Sequence, residues 1–213
     1  MKKMLIMLVM VFTVTATFGY QMSQEHINFL ENALNNYSFT RSANVGVDRN
    51  SFKNNLDGGF LIGFSETFIN SIISKHVQHE ALKKFDLYLR DGSYVIDAVI
   101  YFDLLDLDIP LTIVGSFDVP TRNNIYMDVK EAKVWAEGNL PTHTILEKVI
   151  DFIGKNTEIS KFVHVGFEAV STRYNQFGRI ILVPRLKDIA PSIPDINITG
   201  ARTFNEEIVI KGK

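Results

Sequence analysis

Hydrophobic and polar positions follow two rhythms along this chain, and each change of rhythm marks an element. From Ser65 to Ala81 the apolar residues Phe68, Ile69, Ile72, Ile73 and Val77 recur at the spacing of a helix with one buried face, behind Ser65 as an N-cap. This predicts a core helix. From Lys83 to Arg90 the pattern changes to strict alternation, with Phe85, Leu87 and Leu89 on one side and Lys84, Asp86, Tyr88 and Arg90 on the other. Asp91-Gly92 is a dipeptide favoured in two-residue hairpin turns, so a second, antiparallel strand should follow.

That second strand carries apolar residues at even positions (Tyr94, Ile96, Ala98, Ile100, Phe102, Leu104) and then at odd ones (Leu105, Leu107, Ile109, Leu111, Ile113, Phe117). A period-two pattern cannot change faces without an extra residue or a turn. A bulge or tight bend is therefore expected between Leu104 and Pro110, with Asp106 and Asp108 facing solvent. The same switch recurs within Ile125–Ala136, where Ile125, Met127 and Val129 give way to Ala132, Val134 and Ala136. Strands that bend twice imply a sheet coiled around something.

Further along, Pro141 opens and Gly154 closes a second amphipathic helix with the stripe Ile145, Leu146, Val149, Ile150 and Ile153. Short strands at Phe162–Ala169 and Gly178–Pro184, and two closing ones near Ile196–Thr199 and Glu207–Lys211, complete the chain. Upstream, Ser23–Tyr37 fits a modest helix capped by Ser23, with Ile27, Leu30, Leu34 and Tyr37 on one side. The stretch from Asn35 to Gly59, rich in Asn, Ser, Asp and Gly, reads as a loop or leader. The first residues differ from all of these: Met1-Lys2-Lys3 is a positive start and Met4–Val14 an apolar run. Small residues at Thr17 and Gly19 predict signal-peptide cleavage after Gly19, with an uncleaved anchor as the alternative reading. The expected organisation is thus a signal peptide over residues 1–19, a leader with a possible helix over 20–59, and one α+β domain over 60–213.

Composition narrows the function more by exclusion than by indication. A formal charge of −2 gives no basic excess for nucleic acid, and the absence of cysteine removes thiol catalysis, disulfides and the lipid anchor of a bacterial lipoprotein. The histidines are scattered; His76 and His79 lie three apart on the first helix without an evident further metal ligand. Asp103, Asp106 and Asp108 lack the glycine and terminal glutamate of a calcium loop. No G-x-S-x-G elbow or phosphate-binding glycine loop is present. No catalytic, metal-binding or cofactor-binding set is therefore assigned, and the chain is expected not to be an enzyme.

Several stretches carry a resemblance. The helix Thr67–His76, the hairpin across Asp91-Gly92, the strand entry Ile109-Pro110-Leu111-Thr112, the strand Val129–Trp135 leading into Asn139-Leu140-Pro141, and the tail Ile180–Ile189 followed by Ile196–Ile210 resemble, in pattern and order, bacterial exported domains of the tubular lipid-binding superfamily, the LmeA-type and YceB-like periplasmic proteins. The likeness spans roughly residues 60–211 and rests on no single diagnostic motif. It implies a long, strongly bent antiparallel sheet wrapped around one helix, with a second amphipathic helix and an apolar groove between helix and sheet. It also implies a periplasmic or secreted protein that binds or shuttles a lipid or other apolar ligand, with transient membrane contact. The groove would be lined by Phe64, Phe68, Ile69, Ile72, Ile73, Ile96, Ile100, Phe102, Ile113, Phe117, Ile145 and Val149. The alternative is a non-enzymatic envelope module whose apolar positions are all packed core and whose exposed strand edge recruits a protein.

Overall fold

In the computed structural model the chain runs α1 (Gln24–Asn36), β1 (Phe60–Ser65), α2 (Glu66–His76), β2 (Leu82–Arg90), β3 (Ser93–Phe102), β4 (Leu107–Thr121), β5 (Asn124–Val134), α3 (Thr142–Lys155), β6 (Val163–Glu168), β7 (Arg179–Pro184), β8 (Ile198–Phe204) and β9 (Glu207–Gly212). The structure describes residues 22–36, 59–76, 82–102, 106–135, 142–155, 160, 163–168, 177–185 and 197–213. The predicted signal peptide and most of the predicted leader lie outside these residues. The fold is α+β, and its strands pair antiparallel in two open sheets: six strands in the order β2-β3-β4-β5-β7-β6, and three in the order β1-β9-β8.

The change of phase after Leu104 is a chain reversal. β3 and β4 pair as a hairpin with Phe102 opposite Leu107 and Ile96 opposite Ile113. Each pair joins an even position to an odd one, and directly opposed residues share a face. Even residues of β3 and odd residues of β4 therefore line the same side, without any bending of one long strand. The expectation of a single strand bent around a helix is corrected on this point. Asp106 at the reversal is exposed with φ of 49°, as expected, whereas Asp108 is half-buried. The second change of phase is a bulge: the register slips between Val114 and Gly115, whose partners on β5 are Glu131 and Val129, leaving Lys130 as the extra residue.

The alternation then sorts the six-stranded sheet into two buried faces. On the inner side Leu87, Leu89, Tyr94, Ile96, Ile100, Leu111, Ile113 and Val129 pack with Leu146 and Ile150 of α3 and with Ile208 of β9 in one core. At about 1.5–3 kcal/mol for each large aliphatic side chain removed from water, this cluster is the main source of stability. The outer side carries Val95 and Val114, covered by Ala33, Phe29, Leu30 and Leu34 of α1. Ser23 caps α1 as expected, with its Oγ accepting from the His26 N–H at 3.2 Å. Residues predicted to belong to a leader with a possible helix thus form one wall of the core.

The three-stranded sheet is fastened at the turns. Gly92, at φ 77° in the β2–β3 turn, donates its N–H to the Thr203 carbonyl at 3.1 Å, and Asn123 in the β4–β5 turn donates to the Ile198 carbonyl at 3.2 Å. β1 was not anticipated as a strand; it pairs along β9 from Phe60 opposite Gly212 to Ser65 opposite Glu207.

α2 corrects the expected core helix. Phe68 and Ile72 are 50% and 42% exposed. The reason lies on the neighbouring face of the helix. β2 is an edge strand, and α2 lies along it so that Asn70 donates from Nδ2 to the Leu87 carbonyl (2.8 Å) while its Oδ1 accepts the Leu87 N–H (2.9 Å). One turn earlier, Glu66 Oε2 accepts the Leu89 N–H at 2.8 Å. Using Glu66 and Asn70 to satisfy the sheet edge turns Phe68 and Ile72 away from the core, against which Ile69 packs among the described residues of the helix; Val77 of the predicted stripe lies outside them.

Candidate functional site

β1 passes into α2 without a loop. Ser65 is the last strand residue and also the helix cap, its Oγ accepting the Phe68 N–H at 3.2 Å. This abrupt change of direction brings Phe64 on the strand against Phe68 on the first helical turn, with ring centroids 6.0 Å apart and planes at 20°. Ile72 follows Phe68 by one helical turn, and Ile62 precedes Phe64 on the same strand face. The four side chains form a strip in which Ile62 is 46% exposed, comparable to Phe68 and Ile72. Phe64 closes its inner side by packing on the main core. Beside it lies an open depression of about 470 Å³ lined by Gly63, Phe64, Ser65, Phe68 and Glu207. Three large exposed apolar side chains, Ile62, Phe68 and Ile72, thus lie around the half-buried Phe64, with the Glu207 carboxylate at the edge of the depression, and an exposed apolar patch of this kind makes the corner the candidate site.

The residues expected to line a groove divide into two groups. Phe64, Phe68 and Ile72 stand together at this strip, with Ile73 half-buried on the same helix. Ile96, Ile100 and Ile113 are buried in the main core, and Ile69, Phe117 and Val149 pack against it half-buried. Ile145 is buried on α3. Phe102 ends β3, and its side chain lies outside what the structure describes.

A second cluster, on the opposite face of the six-stranded sheet, has no counterpart in the sequence reading. His26 of α1 donates from Nε2 to Asp97 Oδ1 (2.7 Å); the carboxylate can only accept, which fixes the proton on that nitrogen. Thr112 Oγ1 donates to the same carboxylate oxygen (3.0 Å), lies 3.1 Å from His26 Nε2 and accepts the Trp135 indole N–H (3.0 Å). Lys84 reaches Asp97 Oδ2 at 2.8 Å. The Trp135 ring stacks on His26 at 4.6 Å, and Lys133 Nζ lies 4.2 Å from its centroid. His26, Asp97 and Thr112 are 1%, 1% and 0% exposed. Although it holds a hydroxyl, an imidazole and a carboxylate, the cluster is not arranged as a nucleophile relay: a relay needs the hydroxyl and the carboxylate on different ring nitrogens, and here both meet Nε2. It clamps α1 to the sheet. The signal available in sequence was Asp97 and Thr112 interrupting apolar strands at positions facing the same way, but nothing local connects them to His26.

Compared with models of known protein families, with curated proteins and with solved structures, the chain matches none.

Proposed function

We propose that this protein is an exported, non-catalytic binder of an apolar chain such as a lipid acyl group, received on the strip formed by Ile62, Phe64, Phe68 and Ile72. The single observation behind the reading is that strip: two stacked phenylalanines and two isoleucines at a corner where the core reaches the surface through Phe64. The predicted signal peptide supports a site of action in the periplasm or outside the cell.

Magnitudes decide how far the ligand must reach. At about 0.8 kcal/mol per methylene, a chain crossing the strip alone buries about five methylenes and gains about 4 kcal/mol, a millimolar affinity. Micromolar binding needs about ten methylenes, so the chain has to continue past Phe64 toward the interior. A protein partner is the less favoured occupant. Four side chains are far short of the roughly 20–30 residues per side of a stable interface, and along β2, the sheet edge next to the strip, α2 already occupies the backbone at Leu87 and Leu89.

The experiment is lipid extraction and native mass spectrometry of the purified protein, followed by titration with a fluorescent fatty acid. Phe68→Ser and Ile72→Asp should each weaken fatty-acid binding severalfold while changing stability by no more than about 0.5 kcal/mol, as expected for exposed positions. Absence of both co-purified lipid and fatty-acid binding would exclude the proposal.

A further inference from the structure

The core-facing side of the three-stranded sheet carries one row that leads inward from the strip. Phe64 on β1 lies opposite Ile208 on β9, and Ile208 lies opposite Thr203 on β8. Directly opposed residues share a face and adjacent strands are about 4.8 Å apart, so Thr203 stands about 10 Å inward from Phe64. Exposure falls along the row. Phe64 lines the depression, Ile208 is 6% exposed in the main core, and Thr203 is 1% exposed.

At the inner end of this apolar row stands a hydroxyl. Thr203 Oγ1 is buried and has no hydrogen-bond partner among the described residues. Its main chain is accounted for, since the Thr203 carbonyl accepts the Gly92 N–H. Burying a hydroxyl without a partner is unfavourable, such groups are few in folded proteins, and valine would fill the same space without the penalty. The orphaned oxygen belongs to a residue on the same sheet face as Phe64, two strands further in.

We infer that Thr203 Oγ1 receives the polar end of the apolar ligand, whose chain runs back over Ile208 to Phe64 and the exposed strip. This rests on the apolar-ligand reading given above and adds the chemical class. One hydroxyl can donate to a carbonyl or accept from a hydroxyl, but it cannot balance a buried carboxylate. The ligand is therefore a neutral amphiphile, a long-chain alcohol or an acyl ester, in preference to an ionised fatty acid.

The test is displacement of phenylnaphthylamine, a neutral apolar dye, by decanol, decane and decanoate from the full chain and from its Thr203→Val and Thr203→Ser forms. Decanol should displace the dye from the parent and the serine form at a concentration about three- to tenfold lower than from the valine form, the range of one net hydrogen bond. Decane should act equally on all three, decanoate should be weaker than decanol on the parent, and the valine form should melt no lower than the parent. Equal displacement by decanol from the parent and valine forms would overturn the inference while leaving the apolar-ligand reading in place. So would a valine form that melts well below the parent, because the hydroxyl would then be in use without ligand. Failure of the parent to bind the dye would overturn both.

Discussion

His26 and Asp97 are 71 residues apart in the chain, yet their side chains meet at 2.7 Å, each about 1% exposed. The contact fixes which face of α1 lies on the sheet. The sequence places Ile27, Leu30 and Leu34 on the buried side of the helix; in the structure His26, Phe29, Leu30, Ala33 and Leu34 are the residues turned to the sheet. Asp97 is the hub, accepting from His26, Thr112 and Lys84 together. Asp97→Ala leaves those donors buried or half-buried without their acceptor, and breaking a buried pair from one side costs about 3–5 kcal/mol. Urea unfolding should show a loss of that order. Because Trp135 is the only tryptophan and stacks on His26, its fluorescence should change before the bulk of the fold is lost. A variant as stable as the parent would mean that the cluster does not clamp α1.

The edge of β2 offers a second test. Asn70 satisfies both the N–H and the carbonyl of Leu87 with one side-chain amide, as a neighbouring strand would. Asn70→Ala should cost about 1–3 kcal/mol in urea unfolding by leaving both groups unpaired in a half-buried place. It should also raise aggregation measured by light scattering, because it reopens a strand edge. Asn70→Asp keeps the acceptor for the Leu87 N–H and loses the donor, so it should fall between the parent and the alanine form.

These two contacts also mark where the sequence stops being readable. Elements governed by period were legible: the alternation at Lys83–Arg90 is β2, Asp91-Gly92 is its turn, the stripe after Pro141 is α3, and the lost phase at Val129 is the bulge at Lys130. The exchange of faces after Leu104 was seen, but a reversal and a bend leave the same trace in a period-two pattern. What was not legible depends on polar side chains that meet over long distances. A helix stripe does not reveal that Glu66 and Asn70 will seek the backbone of β2, and a scattered histidine does not reveal a carboxylate 71 residues away. The candidate strip was half visible for the same reason. Phe64, Phe68 and Ile72 were singled out as apolar, but the exposure of Phe68 and Ile72 follows from what Glu66 and Asn70 do.

Tyr94 lies directly opposite Gly115 at the β4 bulge, and the ring occupies the space that a side chain at position 115 would need. A Cβ there would collide with the Tyr94 phenol and with the main-chain oxygen of Asp128. The obstacle on one side is sheet backbone, which cannot swing away. Gly115→Ala should therefore cost about 1–3 kcal/mol or more through overpacking. Gly166→Ala is the internal control: on β6, with nothing within 4 Å of the added carbon, it should leave stability within about 0.5 kcal/mol of the parent. Equal thermal midpoints for the two variants would contradict the packing assigned to Tyr94.

Alkaline pH acts on this same residue. Burial pushes the Tyr94 phenol well above its ordinary 10.0, with the Asp128 charge adding to the shift, and burial together with Asp86 raises Tyr88 as well. For Lys84, burial is the largest single influence and works downward, but the hydrogen bonds and charges of Asp97 and Asp86 together outweigh it and the net shift from 10.5 is upward. All three groups hold their protons more tightly when folded. Their contribution is therefore complete below pH 10.0, where the unfolded chain is also protonated, and is lost as pH rises above that value and the unfolded state releases protons that the native state retains. Urea midpoints should be level on the neutral side and decline steadily on the alkaline side. Tyr94→Phe removes the most deeply buried of these groups and should flatten the decline, while leaving the neutral-pH midpoint close to that of the parent because the phenol makes only a long contact, 3.4 Å, to the Asp128 carbonyl. An alkaline slope unchanged by Tyr94→Phe would place the loss on Lys84 and Tyr88 and show that the buried phenol does not control it.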